Sequence, residues 1–192
     1  MSYVERRRFL WILLLAALVL LALVANATTL ARMRFEELAR QATAVARLRC
    51  LSTKSFWEKS EIWTDTEFAV VEQAKGSLPA MIQVRTLGGT LGHFHSRVEE
   101  TPIFHPGEEA YLFLWSPEGQ EGAPFRVLGW SQGTFRIARD ERTGAETVTQ
   151  ASAATPVFDS QTRRFVHGGI RNLPVAVFQL KLRKTLDGGT AR

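Results

Sequence analysis

Three histidines in one segment are the side chains of this sequence best suited to binding a metal ion. His93 and His95 flank Phe94, and His105 follows further along the same segment. Residues at positions i and i+2 of an extended chain point to the same side. The two imidazoles can therefore meet, and His105 can add a third ligand for zinc or copper. The spacing matches no compact metal motif, so a protein without any cofactor is the alternative.

Acidic and nucleophilic side chains near the histidines do not form a catalytic set. Glu108 and Glu109 follow a Pro-Gly turn and precede an apolar run, where charged residues usually mark the mouth of a strand. Ser131 lies in G-W-S-Q-G, which matches the G-x-S-x-G of hydrolases. A helix must follow that serine in a hydrolase, whereas residues 134–139 alternate as a strand. The sequence therefore predicts a protein that is not an enzyme.

The histidines lie in the longest connection of the predicted core, residues 90–106. Long loops held by a rigid scaffold carry much of the function of proteins. We therefore expect an interaction surface in this loop. Its candidate contact residues are Phe94, Arg97, Glu99, Glu100 and Phe104.

Tryptophans offer a second route to a binding surface. Periodicity does not assign all of Trp57, Trp63, Trp115 and Trp130 to the core. If two of them face one groove, they could stack a sugar or hold a peptide. Ordinary core packing is the default expectation for them.

An apolar run after the loop is the element that must hold the loop in place. Residues 111–115, YLFLW, are too few to cross a membrane and follow a Pro-Gly turn. Such a run predicts a strand that is buried on both faces. Period-two alternation predicts further strands, which are 45–51, 64–71, 82–86, and 125–130 paired with 134–139 in a hairpin around Ser131-Gln132-Gly133. Residues 156–159 and 164–166 are predicted to form a small flap.

Helical periodicity appears in two segments of the mature chain. Residues 35–42 place Phe35 and Leu38 on one apolar stripe. Near the C-terminus, Val175, Phe178 and Leu182 form a second stripe, preceded by Asn172 as a predicted N-cap. Together these elements predict a mainly β protein. Its core is a small antiparallel barrel of five or six strands with a short N-terminal helix and a C-terminal helix.

The first 27 residues have the composition of an export signal. Arg6-Arg7-Arg8 precedes the uncharged apolar run of residues 9–25, and Ala25-Asn26-Ala27 supplies the small residues of a cleavage site. An uncleaved membrane anchor is the alternative, because the run approaches the length that a spanning helix needs. The predicted domains are 1–27 (signal peptide or anchor), 28–145 (β-barrel) and 146–192 (C-terminal extension with a helix packed on the barrel).

The order of several short motifs resembles a known family. The segments WTDTEFAVVEQAKG, IQVRTLGG, PIFHPGEEAYLFLW and VLGWSQGTFRI occur in this order. They resemble a family of exported bacterial proteins of unassigned function. The K-G and G-E-E-A-Y-L-F-L arrangement is also similar to netrin-like and metalloprotease-inhibitor-like domains. That similarity implies an oligonucleotide/oligosaccharide-binding-type (OB-like) barrel outside the cytoplasm.

The charge of the chain and its export signal together limit the classes of function that it can have. The formal charge of +5 includes +2 from the first 27 residues, and no cluster of Lys and Arg with interleaved aromatics marks a nucleic-acid groove. We therefore expect an exported envelope protein, periplasmic or extracellular, that binds another envelope or extracellular protein. The alternatives are an accessory subunit anchored in the inner membrane through residues 9–25, which would be its one membrane contact, and a metal-binding protein that uses the histidines.

Overall fold

The structure is a computed structural model that describes residues 11, 30–117 and 122–189. The chain divides into two compact units, Met1–Leu30 and Ala31–Arg192. Apart from Trp11, the predicted signal peptide or anchor lies outside the described residues. Among the residues that are described, no helix is long and apolar enough to span a membrane.

The second unit is mainly β, as predicted, with one helix near each end. In chain order its helices and strands are α1 (Phe35–Gln41), β1 (Ala44–Glu58), β2 (Glu61–Lys75), β3 (Met81–Leu87), β4 (Gly89–Leu91), β5 (Phe94–Ser96), β6 (Glu109–Trp115), β7 (Arg126–Val127), β8 (Thr134–Arg139), β9 (Glu146–Gln150), β10 (Val157–Asp159), β11 (Arg164–Val166), β12 (Leu173–Pro174) and α2 (Val175–Gly189).

Eight of these strands form one antiparallel sheet. The order is β12-β9-β8-β6-β1-β2-β3, and β7 pairs with β6. β10–β11 and β4–β5 form two small separate hairpins. β9 and β12 extend the sheet with residues from the C-terminal segment.

Strand β6 lies at the centre of the sheet, which confirms the prediction made from its apolar run. Residues 110–114 are all buried. β6 pairs with β1 along one edge and with β7 and β8 along the other. Because both faces of β6 are covered, neither face alternates with polar side chains.

The predicted barrel of five or six strands is not closed. The main sheet is open, with β12 and β3 at its edges, and it has eight strands instead of five or six. β3 curls toward the chain just before β7, and one parallel bridge, Val84–Phe125, joins them. A full ladder cannot develop there because β7 has two residues, after which the chain turns at Gly129 with φ 64°.

The predicted hairpin of residues 125–130 with 134–139 is also wrong. β7 and β8 do not pair with each other; they follow one another along the same edge of β6. A 3₁₀ turn, Trp130–Gly133, connects them. Gly133 is needed here for space and not for a positive φ, because a Cβ on it would collide with the carbonyl oxygen of Leu128.

The sheet buries two hydrophobic clusters, one on each face. The first lies inside the curl of β1–β3 and β6 and includes Leu48, Phe68, Phe104 and the buried thiol of Cys50. Burial, together with the charge of Glu108, raises the pKa of that thiol.

The two helices cover the second cluster. Its members include Leu38, Tyr111, Phe113, Phe135, Phe178 and Leu182. The predicted stripes of both helices are thus confirmed as the faces that pack on the sheet. Asn172 is not an N-cap, however. It has φ 48°, and Leu173–Pro174 pair with β9 before the helix begins at Val175. The residue before a proline favours an extended backbone, which delays the helix.

Candidate functional site

The connection from β3 to β6 first forms the β4–β5 hairpin and then crosses the end of the curled sheet. Pro102 and Phe104 are buried beneath this crossing. Phe104 packs edge-to-face on Phe68 with ring centroids 5.0 Å apart. The loop is therefore tied to the first hydrophobic cluster by its own side chains.

The loop covers an open cavity of about 480 Å³, which we call the hydroxyl-lined cavity. Its wall includes the hydroxyl-bearing residues Thr53, Ser55, Thr64, Thr66, Thr86, Thr90, Ser96 and Thr101. Some of these hydroxyls already bond to one another, since Ser55 and Thr64 lie 2.9 Å apart. The wall also includes Arg97 and the apolar side chains of Val98, Ile103 and Phe104, so the cavity is of mixed character with many hydroxyls.

The three histidines are only partly brought together. His95 and His105 line the hydroxyl-lined cavity, whereas His93 lies at the turn between β4 and β5. His95 Nδ1 is 3.0 Å from the Thr90 hydroxyl. Within the described ranges, no three His, Cys, Asp or Glu residues are grouped closely enough to hold a metal ion. The zinc or copper site stays a prediction.

The candidate contact residues of the loop have different environments. Phe94 is 61% exposed and packs edge-to-face on Trp57, which is 48% exposed, with ring centroids 5.5 Å apart. Arg97 and Glu99 are also exposed. Phe104 is 4% exposed and belongs to the core. The loop thus contributes one aromatic ring to the surface and one to the interior.

Glu100 anchors the loop to the 3₁₀ turn. Its carboxylate accepts a short hydrogen bond from the Ser131 hydroxyl, and its carbonyl oxygen accepts one from the Ser131 N–H at 3.0 Å. Glu100 has φ 62°, a conformation that a non-glycine residue adopts at some cost. The serine of G-W-S-Q-G therefore faces this carboxylate, and the strand predicted to follow it is confirmed as β8.

The glutamates before β6 are bound by arginines. Glu108 accepts a hydrogen bond from Arg136 at 2.8 Å. Glu109 accepts bonds from Arg47 at 2.6 Å and from Arg49 at 2.7 Å. Burial alone would raise the pKa of Glu109, but the bonds from Arg49 and Arg47 outweigh it, so the pKa is lowered. These contacts fit the structural role expected at the mouth of a strand.

Three of the tryptophans meet in one pocket, which we call the tryptophan pocket. Trp63, Trp115 and Trp130 line it together with Arg126 and Thr101, and its volume is about 190 Å³. Trp115 and Trp130 are each 39% exposed. Three of the four tryptophans that periodicity did not assign to the core therefore line one pocket, whereas Trp57 belongs to the separate pair with Phe94.

The curl of the sheet brings these tryptophans together. Trp63 is on β2, where it pairs with Leu87 of β3. Trp115 ends β6, and Arg126 of β7 is its partner in the ladder. Trp130 begins the 3₁₀ turn with φ 55°. The bridge between β3 and the chain before β7 places all of them at one end of the sheet.

Arg126 is the charged group of the tryptophan pocket. Its guanidinium lies over the Trp63 ring, 4.8 Å from the centroid, which is a cation–π geometry. Burial, and then the neighbouring charge of Arg85, lower its pKa. Arg85 itself is neutralised by Asp65 through bonds of 2.5 and 2.7 Å. Among the described residues, no carboxylate forms an ion pair with Arg126.

Two buried side-chain atoms in the described part of the chain lack a hydrogen-bond partner, and both belong to this pocket. They are Nη1 of Arg126 and Oγ1 of Thr101. Buried polar atoms are bonded in the large majority of cases, so each exception needs an explanation. Their occurrence in one pocket marks it as a candidate ligand site.

The tryptophan pocket and the hydroxyl-lined cavity share a wall. Thr86, Leu87, Thr101 and Pro102 line both. A ligand in the tryptophan pocket would therefore lie beside the threonine and serine side chains of the hydroxyl-lined cavity.

Arg126 and Thr101 are not among the site residues predicted from the sequence. Trp115 and Arg126 lie on either side of one loop, so predicting a β-hairpin with that loop as its turn would have paired them. No local pattern links Thr101 to either of them.

Comparison of the chain with protein-family models, with curated proteins and with solved structures finds no match.

Proposed function

We propose that this protein is a non-enzymatic binding module of the cell envelope that recognises another envelope or extracellular protein at the end of the β1–β2 hairpin. The observation that carries the proposal is the exposed Trp57–Phe94 pair. Each ring belongs to a different hairpin, and each keeps about half of its surface exposed or more. Aromatic residues in such positions are enriched among the energetic hot spots of protein interfaces.

The edge of β1 beside this pair supports the same proposal. β6 pairs with β1 through Arg49, while β2 pairs with β1 as far as Glu58. In the described part of the chain, no strand pairs with residues 52–58 on the side away from β2. An extended segment of a partner can add to such an edge through main-chain hydrogen bonds.

The strand order supports an OB-like architecture for the curled half of the sheet. Going around the curl, β1, β2 and β3 are followed by the bridge to the chain before β7, then by β7 and β6, and β6 pairs with β1. A five-stranded, partly open barrel of the OB type has this kind of circuit. We propose that the module is of this type.

The location of the module rests on the sequence of its first 27 residues. A basic start, an apolar run and an A-N-A end support export to the periplasm or beyond. The anchored form, an accessory subunit of an envelope complex, differs in keeping residues 9–25. Mass spectrometry of the native N-terminus distinguishes the cleaved form from the anchored form, because a chain that starts at Thr28 has lost the anchor.

Site-specific photo-crosslinking tests the binding face. A photoreactive phenylalanine analogue replaces Phe94 in one version of the full-length protein and Phe165 in the other. These two residues are 61% and 62% exposed and lie on different hairpins. We expect one dominant protein adduct from position 94 in the native envelope, weakened by Trp57→Ala, and none of that mass from position 165. The same adducts from both positions, or none from position 94, would contradict the proposal.

Metal binding is a second candidate function, favoured by the shared cavity of His95 and His105. Bound zinc or copper would draw these imidazoles together with His93. Elemental analysis of the purified protein, and its melting temperature with and without Zn²⁺ or Cu²⁺, test this function. No stoichiometric metal and no shift in melting temperature would exclude it.

A further inference from the structure

We infer that the tryptophan pocket binds an acidic sugar, meaning a saccharide ring that carries a carboxylate. The inference does not depend on the proposed protein-binding face, since Trp57 and Phe94 do not line this pocket. It rests on three properties of the pocket, which are its size, its aromatic walls and a guanidinium that forms no ion pair with a carboxylate of the described residues.

The size of the pocket selects a single ring. Pockets for drug-sized ligands have volumes of roughly 300–1,000 Å³, whereas this pocket has about 190 Å³. A longer ligand can continue along the shared wall at Thr101 and Pro102 into the hydroxyl-lined cavity of about 480 Å³. A saccharide chain suits both spaces, because it is built of ring-sized units that carry hydroxyls.

The walls of the pocket suit the two surfaces of a sugar ring. The face of an indole is electron-rich, and the C–H face of a pyranose carries small positive partial charges, so the two attract. Trp115 and Trp130 supply such surfaces, whereas the guanidinium of Arg126 covers one face of Trp63. Thr86 and Thr101 also line the pocket, and the Oγ1 of Thr101, which has no partner within the described residues, is buried in its wall.

The charge of the pocket selects an acidic sugar over a neutral one. The guanidinium of Arg126 has lost much of its hydration and lies on an aromatic ring without a carboxylate partner in the described part of the chain. A guanidinium binds a carboxylate through charge-assisted, often bidentate hydrogen bonds. Asp65 and Glu58 attract Arg126 only at longer range, and Asp65 is bonded to Arg85, so a ligand carboxylate would supply a direct partner.

The test compares two sugars that differ in one group. Methyl glucuronoside carries the carboxylate, and methyl glucoside has a neutral hydroxymethyl group in its place. Each is titrated into the full-length protein while tryptophan fluorescence and the heat of binding are recorded. We expect the acidic sugar to bind at least about tenfold more tightly than the neutral one, the gain typical of a charge-assisted hydrogen bond. Higher salt should narrow that difference.

Variants assign the effect to Arg126. Arg126→Gln should reduce the affinity for the acidic sugar to that for the neutral sugar, while Arg126→Lys should retain part of the preference. Arg139→Gln is the matched control, since Arg139 is exposed and does not line the pocket. The variant Trp57→Phe should leave the titration unchanged.

Each contrary outcome has a distinct meaning. Equal binding of the two sugars, or an unchanged preference in Arg126→Gln, would overturn the inference of an acidic ligand. Binding of a peptide through its C-terminal carboxylate, with neither sugar bound, would overturn the inference of a saccharide. No binding of any of these probes would also overturn it, while the crosslinking result at Phe94 would still decide the proposed function.

Discussion

The helix-covered face of the sheet and the tryptophan pocket differ in whether their buried polar side chains have hydrogen-bond partners. On the helix-covered face, Arg47 bonds to Glu109 at 2.6 Å and to Glu146 at 2.9 and 3.0 Å. Beneath α2, the Tyr111 hydroxyl donates to Glu72 at 2.9 Å. In the tryptophan pocket, Arg126 and Thr101 each keep a buried atom that has no hydrogen-bond partner in the described part of the chain.

This difference separates groups that hold the fold together from groups that are available to a ligand. Burial and the bond to Glu72 raise the pKa of Tyr111 to about 12, so this hydroxyl stays neutral and bonded. A buried polar group without a partner costs free energy, and a protein that keeps two in one pocket gains when a ligand binds them. We therefore expect substitutions on the helix-covered face to reduce stability. Those in the pocket should change binding with little effect on stability.

The largest effect is expected from Phe178→Ala. Phe178 is fully buried, and its ring contacts the rings of Phe35, Tyr111 and Phe135. Removing a buried phenylalanine leaves a cavity and costs about 3–5 kcal/mol of unfolding free energy. Urea unfolding followed by circular dichroism measures the loss. Leu180→Ala on the same helix is the control, because Leu180 is 67% exposed, and a loss equal to that of Phe178→Ala would contradict the packing described.

Arg47→Met should have the next largest effect. It leaves Glu109 and Glu146 without their shared guanidinium, and their side chains are 14% and 27% exposed. Breaking a largely buried ion pair costs about 3–5 kcal/mol, and the partial exposure here reduces the expected loss to about 2–4 kcal/mol. The comparison with Arg126→Met is decisive. That variant removes a charge with no ion-pair partner in the described structure, so we expect its urea midpoint to stay close to that of the wild type.

Acid should destabilise the protein partly through Glu109. Its pKa in the folded protein is lowered, so its contribution to stability is fully present above the unfolded value of about 4.3. That contribution is lost as the pH falls through the lower folded pKa. Urea midpoints between pH 7 and pH 3 should fall more steeply for the wild type than for Glu109→Gln. Parallel slopes for the two proteins would contradict the assignment.

The smallest effect is expected from Thr101→Val, and its matched control is Thr134→Val. The Thr134 hydroxyl is buried and donates to the carbonyl oxygen of Trp130 at 3.0 Å, so its loss should cost about 1 kcal/mol. The Thr101 hydroxyl has no partner to lose among the described residues, so Thr101→Val should leave the unfolding free energy unchanged or slightly higher. A loss at Thr101 equal to that at Thr134 would show that the Thr101 hydroxyl is bonded in the folded protein.

The sequence by itself determined the local elements of this protein. The apolar run of β6, the alternation of β1 to β3 and the stripes of the two helices each depend on periodicity within a few residues. These patterns state which face of an element is buried. They were sufficient for the mainly β class, for the central strand and for the packing of α2 on the sheet.

Only the tertiary structure decided which strands pair at the end of the sheet and which side chains come together there. The successive pairing of β7 and β8 with β6, the burial of Phe104 and the single bridge at Phe125 are contacts between distant segments. Local periodicity does not specify such pairings, because the alternation of a strand is the same whichever neighbour it takes. The three tryptophans were visible as candidates in the sequence. The curl of the sheet alone placed them around Arg126.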